Sequence, residues 1–320
     1  MSDFKRLFKR DRFYWGIVAV VMMLLVIYLL VNGYRPYHKL FHLENYLEWS
    51  QYLQGVWETH PELRGSDGFF DEIPDFFLRH MVSVTVIAAL IAQALRLLTQ
   101  ETQNRAEVLR IFPIKSRNIV TYHYLSGLLT VGIPLLMQIA IVRLDVLYVE
   151  SNTEFLFTNK EQLWTYAGKA VIIFLLHYSL LILCRKVTNN VPGTIFTYVV
   201  VELTMQLLCG SCLGLYWSNL AENRLKNWGF WAIVTVVLIL LSYIANQKQD
   251  YARNGVYAFP IVHWVIMETV FVEIYFTFYS VFEYLAPFEN LPKVLLYLVE
   301  IAVSVLMTAG VHFVTKPQKI

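Results

Sequence analysis

Eight apolar runs, each near the roughly 20 residues a helix needs to cross a bilayer, constrain this chain more than any other feature. They fall at about Phe13–Val31, Phe76–Leu98, His123–Val142, Thr165–Cys184, Val191–Leu215, Gly229–Ala245, Ile261–Leu285 and Val294–Val314. A soluble core cannot bury that much uninterrupted apolar chain. Hydrophobic residues make up 57% and charged residues 16% of the sequence, against about 45–50% and 25% in soluble domains. The runs are continuous, without the period-2 alternation of barrel strands. The sequence therefore predicts an all-α integral membrane protein with about eight transmembrane helices.

An even number of spans puts both termini on one side, and the basic residues say which. With cytoplasmic termini, the inner segments hold fifteen Lys and Arg and the outer segments eight; Arg79, Arg96 and Lys169 fall inside spans. The positive-inside rule thus places both termini in the cytoplasm. The first run is longer than a signal-peptide core, and "VNGYRPYHKL" after it offers no small-residue cleavage site, so it reads as a retained span. The net charge of +2 is spread over the membrane edges and gives no footprint for nucleic acid.

No segment is long or polar enough for a separate soluble domain, so residues 1–320 read as a single transmembrane domain. Residues 1–12 suit an amphipathic N-terminal helix: Phe4, Leu7 and Phe8 are spaced i, i+3, i+4, with Lys5, Arg6, Lys9 and Arg10 on the other faces. Such a helix lies in the inner headgroup layer; a basic tail that only sets topology is the alternative. Residues 32–75 form an outer loop, and residues 99–122 a cytoplasmic one.

Chemical motifs are scarce. There is no phosphate loop, and no H-E-x-x-H, G-x-S-x-G or paired Cys/His spacing. Cys184, Cys209 and Cys212 all fall in spans, and Cys209-x-x-Cys212 has no second pair to complete a metal site. The polar residues within the spans are the candidate pathway lining: Glu202, Gln206, Glu268, Glu273 and Glu300. A charge at mid-bilayer costs at least about 2.5–3.5 kcal/mol, so these side chains should face a cavity, a partner or one another. Protonated or hydrogen-bonded glutamates in helix packing are the structural reading; lining of a pathway or gate is the functional one. Glu202 and Gln206 share a helical face, whereas Glu268 and Glu273 lie about 140° apart around theirs.

The cytoplasmic loop contains "RAEVLRIFPIKSRNIV", charged and broken by Pro113 between strongly apolar flanks. Pro113 biases Phe112 away from helix, so the chain should turn there and present Phe112 and Ile114 beside Lys115 and Arg117. A short helix ending in exposed apolar residues with a basic rim suits a groove on a cytosolic partner.

At these residues the sequence resembles ABC-2 type transporter permeases, most narrowly a bacterial subgroup with an LPIK-like loop. The resemblance runs through "EVLRIFPIKSRNIVTYHYLSGLLTVGIPLL", with Phe112 where the subgroup has Leu. A second patch, "YARNGVYAFP", resembles the subgroup through Arg253, Gly255, Ala258 and Phe259. The resemblance implies a type V exporter-like permease in the bacterial cytoplasmic membrane. It would be a non-catalytic subunit pairing with a second permease chain and with a cytosolic ABC ATPase that holds ATP and Mg. It implies a coupling helix in the loop, with Phe112, Pro113 and Ile114 as the plug and Glu107, Leu109, Lys115 and Arg117 around it. An ion-coupled secondary transporter using the intramembrane glutamates is the alternative, and a polytopic lipid-modifying enzyme a third reading.

Overall fold

The structure is a computed structural model of the chain. It describes residues 3–28, 75–100, 115–152, 160–188, 190–209, 228–248, 257, 259–284 and 293–315. Among the described residues there is no strand, only an isolated bridge between Thr188 and Tyr257. The helices are α1 (Asp3–Arg10), α2 (Arg12–Tyr28), α3 (Asp75–Gln100), α4 (Ser116–Asn152), α5 (Gln162–Val187), α6 (Val191–Cys209), α7 (Trp228–Lys248), α8 (Pro260–Tyr284) and α9 (Lys293–Thr315).

Every predicted apolar run thus contains a helix. Among the described residues, three helical stretches are long and apolar enough to cross a bilayer: Arg117–Tyr148, Gln162–Val187 and Gly229–Lys248. A fourth candidate is the pair α1–α2, bent by 68°. Shorter apolar stretches, Ser83–Leu98, Val191–Thr204 and Tyr297–His312, occupy α3, α6 and α9. The surface of these helices agrees with a lipid solvent. On α2 only Val18, Met22 and Val26 are buried, while Ile17, Val20, Val21, Met23, Leu24 and Ile27 stand exposed. On α7, Ile233, Val236, Val237, Leu240, Leu241 and Ile244 are exposed likewise. A helix apolar on every face with so little of it covered is at home in hydrocarbon, not in water.

Local chemistry sets the helix ends. Asn190 caps α6 by accepting the Gly193 amide on Oδ1 at 2.7 Å. Pro192 follows in the first turn of α6, and Pro260 opens α8, positions where proline's missing N–H is no loss. Pro134 is the exception, lying inside the 37-residue α4. Spans of this kind tolerate proline because neighbouring groups can re-satisfy the freed carbonyl.

The chain divides into two compact units. The first comprises Met1–Arg96, Thr121–Tyr178 and Leu220–Thr235. Its core is made where a stripe on α3 (Thr85, Val86, Ala89, Leu90, Gln93) and one on α4 (Val131, Leu135, Gln138, Ile139, Val142) are buried. Thr85 and Gln138 meet there, at 3.1 and 3.3 Å. Beyond the apolar part of α4, Lys160 pairs with Glu150 at 2.9 Å and Arg143 with Glu161 at 3.5 Å.

The second unit comprises Leu97–Val120, Ser179–Asn219 and Val236–Ile320. Its core joins α6 to α8 through Val200, Ile266, Met267 and Val270, with Tyr257 beside them. The Thr197 hydroxyl donates to the Tyr257 hydroxyl at 3.3 Å. Burial pushes the Tyr257 phenol above its ordinary value, against the lowering effect of that hydrogen bond. Between α8 and α9, His263 Nε2 lies 2.9 Å from His312 Nδ1.

Candidate functional site

In the first unit, polar side chains from four helices meet in a buried cluster around Arg96. Gln93 and Arg96 stand three apart on α3; His123, Ser126 and Thr130 stand three, then four apart on α4. Each set therefore occupies one helical face. Arg96 Nη2 lies 3.2 Å from His123 Nδ1 and donates to the Ser126 hydroxyl. Nδ1 is then the acceptor, which puts the neutral ring's hydrogen on Nε2. The Gln93 amide donates to the Ser126 carbonyl at 3.3 Å and to the Thr130 hydroxyl. From α5, the Tyr178 hydroxyl reaches Gln93 Oε1 and the His123 carbonyl, each at 3.3 Å.

Aromatic rings complete the cluster. The Arg96 guanidinium lies 5.7 Å from the Trp15 ring centre and 5.3 Å from that of Tyr122. The Trp15 indole N–H donates to the Tyr122 hydroxyl at 2.9 Å. A guanidinium taken out of water needs such compensation, and here it gets hydrogen bonds together with two ring faces. Gly127 makes the arrangement possible. A Cβ at that position would sit 2.6 Å from Tyr178 Cε1, so only glycine admits the ring this close to α4.

The cluster lies at the base of the predicted cytoplasmic loop. Arg96 is in the last turns of α3, which ends at Gln100, and His123 in the second turn of α4, which begins at Ser116. Of the coupling residues, Glu107, Leu109, Phe112, Pro113 and Ile114 lie outside the described residues. Lys115 and Arg117 are exposed at the start of α4, where the Asn118 amide bonds the Lys115 carbonyl at 2.8 Å. The outer loop, residues 32–75, lies outside the described residues except for Asp75, which opens α3.

The candidate pathway residues divide by exposure. Glu202, Glu273 and Glu300 are buried, while Glu268 is exposed. Glu268 and Glu273 thus look in different directions, as their separation around α8 requires. Glu273 accepts from the Thr204 hydroxyl on α6, which also donates to its own Val200 carbonyl at 2.8 Å. The Gln206 side chain lies outside the described residues, although α6 includes the position. The buried glutamates therefore come from α6, α8 and α9, and Thr204 links one of them to a second helix. Cys184 is buried with a free thiol; Cys212 lies outside the described residues. Among the described residues no three His, Cys, Asp or Glu side chains are grouped to hold a metal ion.

The Arg96 cluster is not legible as a site in the sequence, where Arg96 is one basic residue inside a span and His123 and Ser126 are parts of the motif around the loop. The available signal was the polar spacing on two apolar runs: Gln93 and Arg96 on one, His123, Ser126 and Thr130 on the next. No protein-family model, curated protein or solved structure matches the chain.

Proposed function

We propose that the chain is the transmembrane permease of an ABC exporter, of the ABC-2 type and with eight spans, driven by a separate cytosolic ATPase. The observation that carries this reading is the clamped base of the loop between α3 and α4. Arg96, Gln93 and Tyr178 tie the end of α3 to the start of α4 through hydrogen bonds to His123 and Ser126. A loop seated on an ATPase does work only if its stem is stiff. A cluster of this kind would carry a push on Phe112 and Ile114 into both helices together, shifting the balance between two states of the pathway. The resemblance of "IFPIKSR" to the family's loop supplies the partner, and the exposed Lys115 and Arg117 fit its basic rim.

The working unit on this reading is two permease chains and two ATPases in a bacterial cytoplasmic membrane. Cargo is an amphipathic peptide, a drug-like molecule or a lipid-like one. ATP and Mg are held by the ATPase, and this chain performs no catalysis. A second reading, ion-coupled transport, draws on the buried Glu202, Glu273 and Glu300.

Affinity purification of the tagged chain from its native membrane tests the proposal. A P-loop ATPase should co-purify stoichiometrically and be lost when Phe112→Asp and Ile114→Asp are combined, with membrane insertion unchanged. Recovery of the chain alone, or ATPase retention in the variant, would overturn the coupling assignment. Transport driven by a proton gradient without ATP would favour the second reading.

A further inference from the structure

Within the first unit, α2 and α4 leave between them a cavity of about 260 Å³, lined almost wholly by carbon. Val18, Met22 and Val26 form the α2 wall, and Ile133, Pro134 and Met137 the α4 wall. Pockets for drug-sized ligands run from about 300 to 1,000 Å³, so this one suits a single narrow chain. Its length is informative. From Trp15 to Val26 the groove follows eleven residues of helix, about 16 Å at 1.5 Å per residue. That is close to half of the roughly 30 Å hydrocarbon core, the depth of one leaflet.

The inner end of the groove differs from the rest. Trp15 stands there, its indole N–H turned to the buried Tyr122 of the Arg96 cluster, and tryptophan is a residue enriched at the membrane–water interface. One turn earlier on the same face of α2 is Arg12, exposed, at the spacing that continues through Trp15, Ala19, Met22 and Val26. The bend of 68° then turns α1 aside, with Lys5, Arg6 and Lys9 all exposed. An apolar slot of one-leaflet depth therefore begins one turn from the exposed Arg12, with the exposed Lys9, Arg6 and Lys5 preceding it in sequence and the carboxylate of Asp11 buried between Lys9 and Arg12.

We propose that this groove is a lipid site, holding one acyl chain of an inner-leaflet anionic phospholipid whose phosphate is met by Arg12 and Lys9. Two features select this occupant. The slot is too narrow and too apolar for a polar solute, and the positive charge at its mouth favours an anionic headgroup over a zwitterionic one. Methionines at positions 22, 23 and 137 suit a flexible guest, because their side chains adapt to irregular shapes. The site depends on membrane insertion alone and not on the identity of any ATPase.

The test uses the purified full chain in nanodiscs containing either phosphatidylglycerol or phosphatidylcholine with a photoactivatable acyl chain, and maps adducts by mass spectrometry. Phosphatidylglycerol should label α2 between Val18 and Val26 and α4 between Leu129 and Met137, at several times the level on the exposed face of α7. Ala19→Trp, which fills the slot, should cut that labelling at least fivefold; Ile133→Phe, which narrows it from α4, should cut it independently should the first variant fold poorly. Lys9→Gln with Arg12→Gln should lower phosphatidylglycerol labelling to the phosphatidylcholine level. Equal labelling by the two lipids in the native chain, or labelling unchanged by both slot-filling variants, would overturn the proposal.

Discussion

Replacing Gly127 with alanine tests the packing argument most directly. The added Cβ would lie 2.6 Å from Tyr178 Cε1, 2.9 Å from Cδ1 and 3.1 Å from Phe174 Cε1, where ordinary contact begins near 3.4 Å. The Tyr178 ring must retreat by about 0.8 Å, far up the repulsive wall of a carbon–carbon contact. It has little room to do so. The ring is stacked on Phe174 at 5.3 Å and set edge-on to Tyr124 at 6.2 Å, and its hydroxyl is tied to Gln93 and His123. Overpacking of this kind costs about 1–3 kcal/mol, and a strained interhelical hydrogen bond adds about 0.6 kcal/mol. Alanine returns up to about 1 kcal/mol in helix propensity. The net expectation is a loss of about 0.6–3.6 kcal/mol, read by equilibrium unfolding in mixed micelles with circular dichroism. The same substitution in a Tyr178→Ala background should cost much less, because only the milder 3.1 Å contact with Phe174 Cε1 then remains. Equal costs in the two backgrounds would refute the close-approach argument, since the effect would then not pass through Tyr178.

Two further predictions concern smaller contacts. Thr85→Val and Gln138→Leu should each destabilise by about 0.6–1.7 kcal/mol, whereas the double variant should cost less than the sum, because neither polar group is then left alone between α3 and α4; a micelle unfolding cycle measures this. Tyr257 supplies a pH dependence: with its phenol raised above the ordinary 10.0, the neutral form stabilises the fold below that value, and the contribution is lost as pH rises past it. Tyr257→Phe should therefore flatten the alkaline limb of a stability–pH profile, and an unchanged limb would show that Tyr257 is not its source.

What could be read from the sequence was whatever local periodicity encodes. An apolar run long enough for a bilayer carries its own helix, so α2 through α9 each coincide with such a run. The 100° step per residue was enough to separate Glu268 from Glu273, and one is exposed where the other is buried. On α1 the spacing of Phe4, Leu7 and Phe8 foretold a single apolar face, but only Leu7 is buried; Phe8 is exposed, its ring 5.7 Å from that of Trp15. Pairings across helices were out of reach. Arg96 and His123 are 27 residues apart and His263 and His312 are 49 apart, and nothing in either local pattern names its partner. Gly127 and Tyr178 show why: the glycine is explained only by the ring that packs on it, and that ring comes from a different helix. Tyr257 entered as one letter of a resembling patch, yet its structural part is to pair with Thr188 and accept from Thr197.

The length of α4 has a mechanical consequence. Its 37 residues extend about 55 Å, some 25 Å more than the hydrocarbon thickness. The excess carries Glu150, which Lys160 fastens to the chain entering α5. A rod of that length is a lever: a tilt of about 5° at one end sweeps the far tip through about 5 Å. Pro134, near its middle, removes one rung of the ladder and marks where such a beam would flex. Small displacements on one face of the membrane would thus reach the opposite face enlarged, by leverage alone.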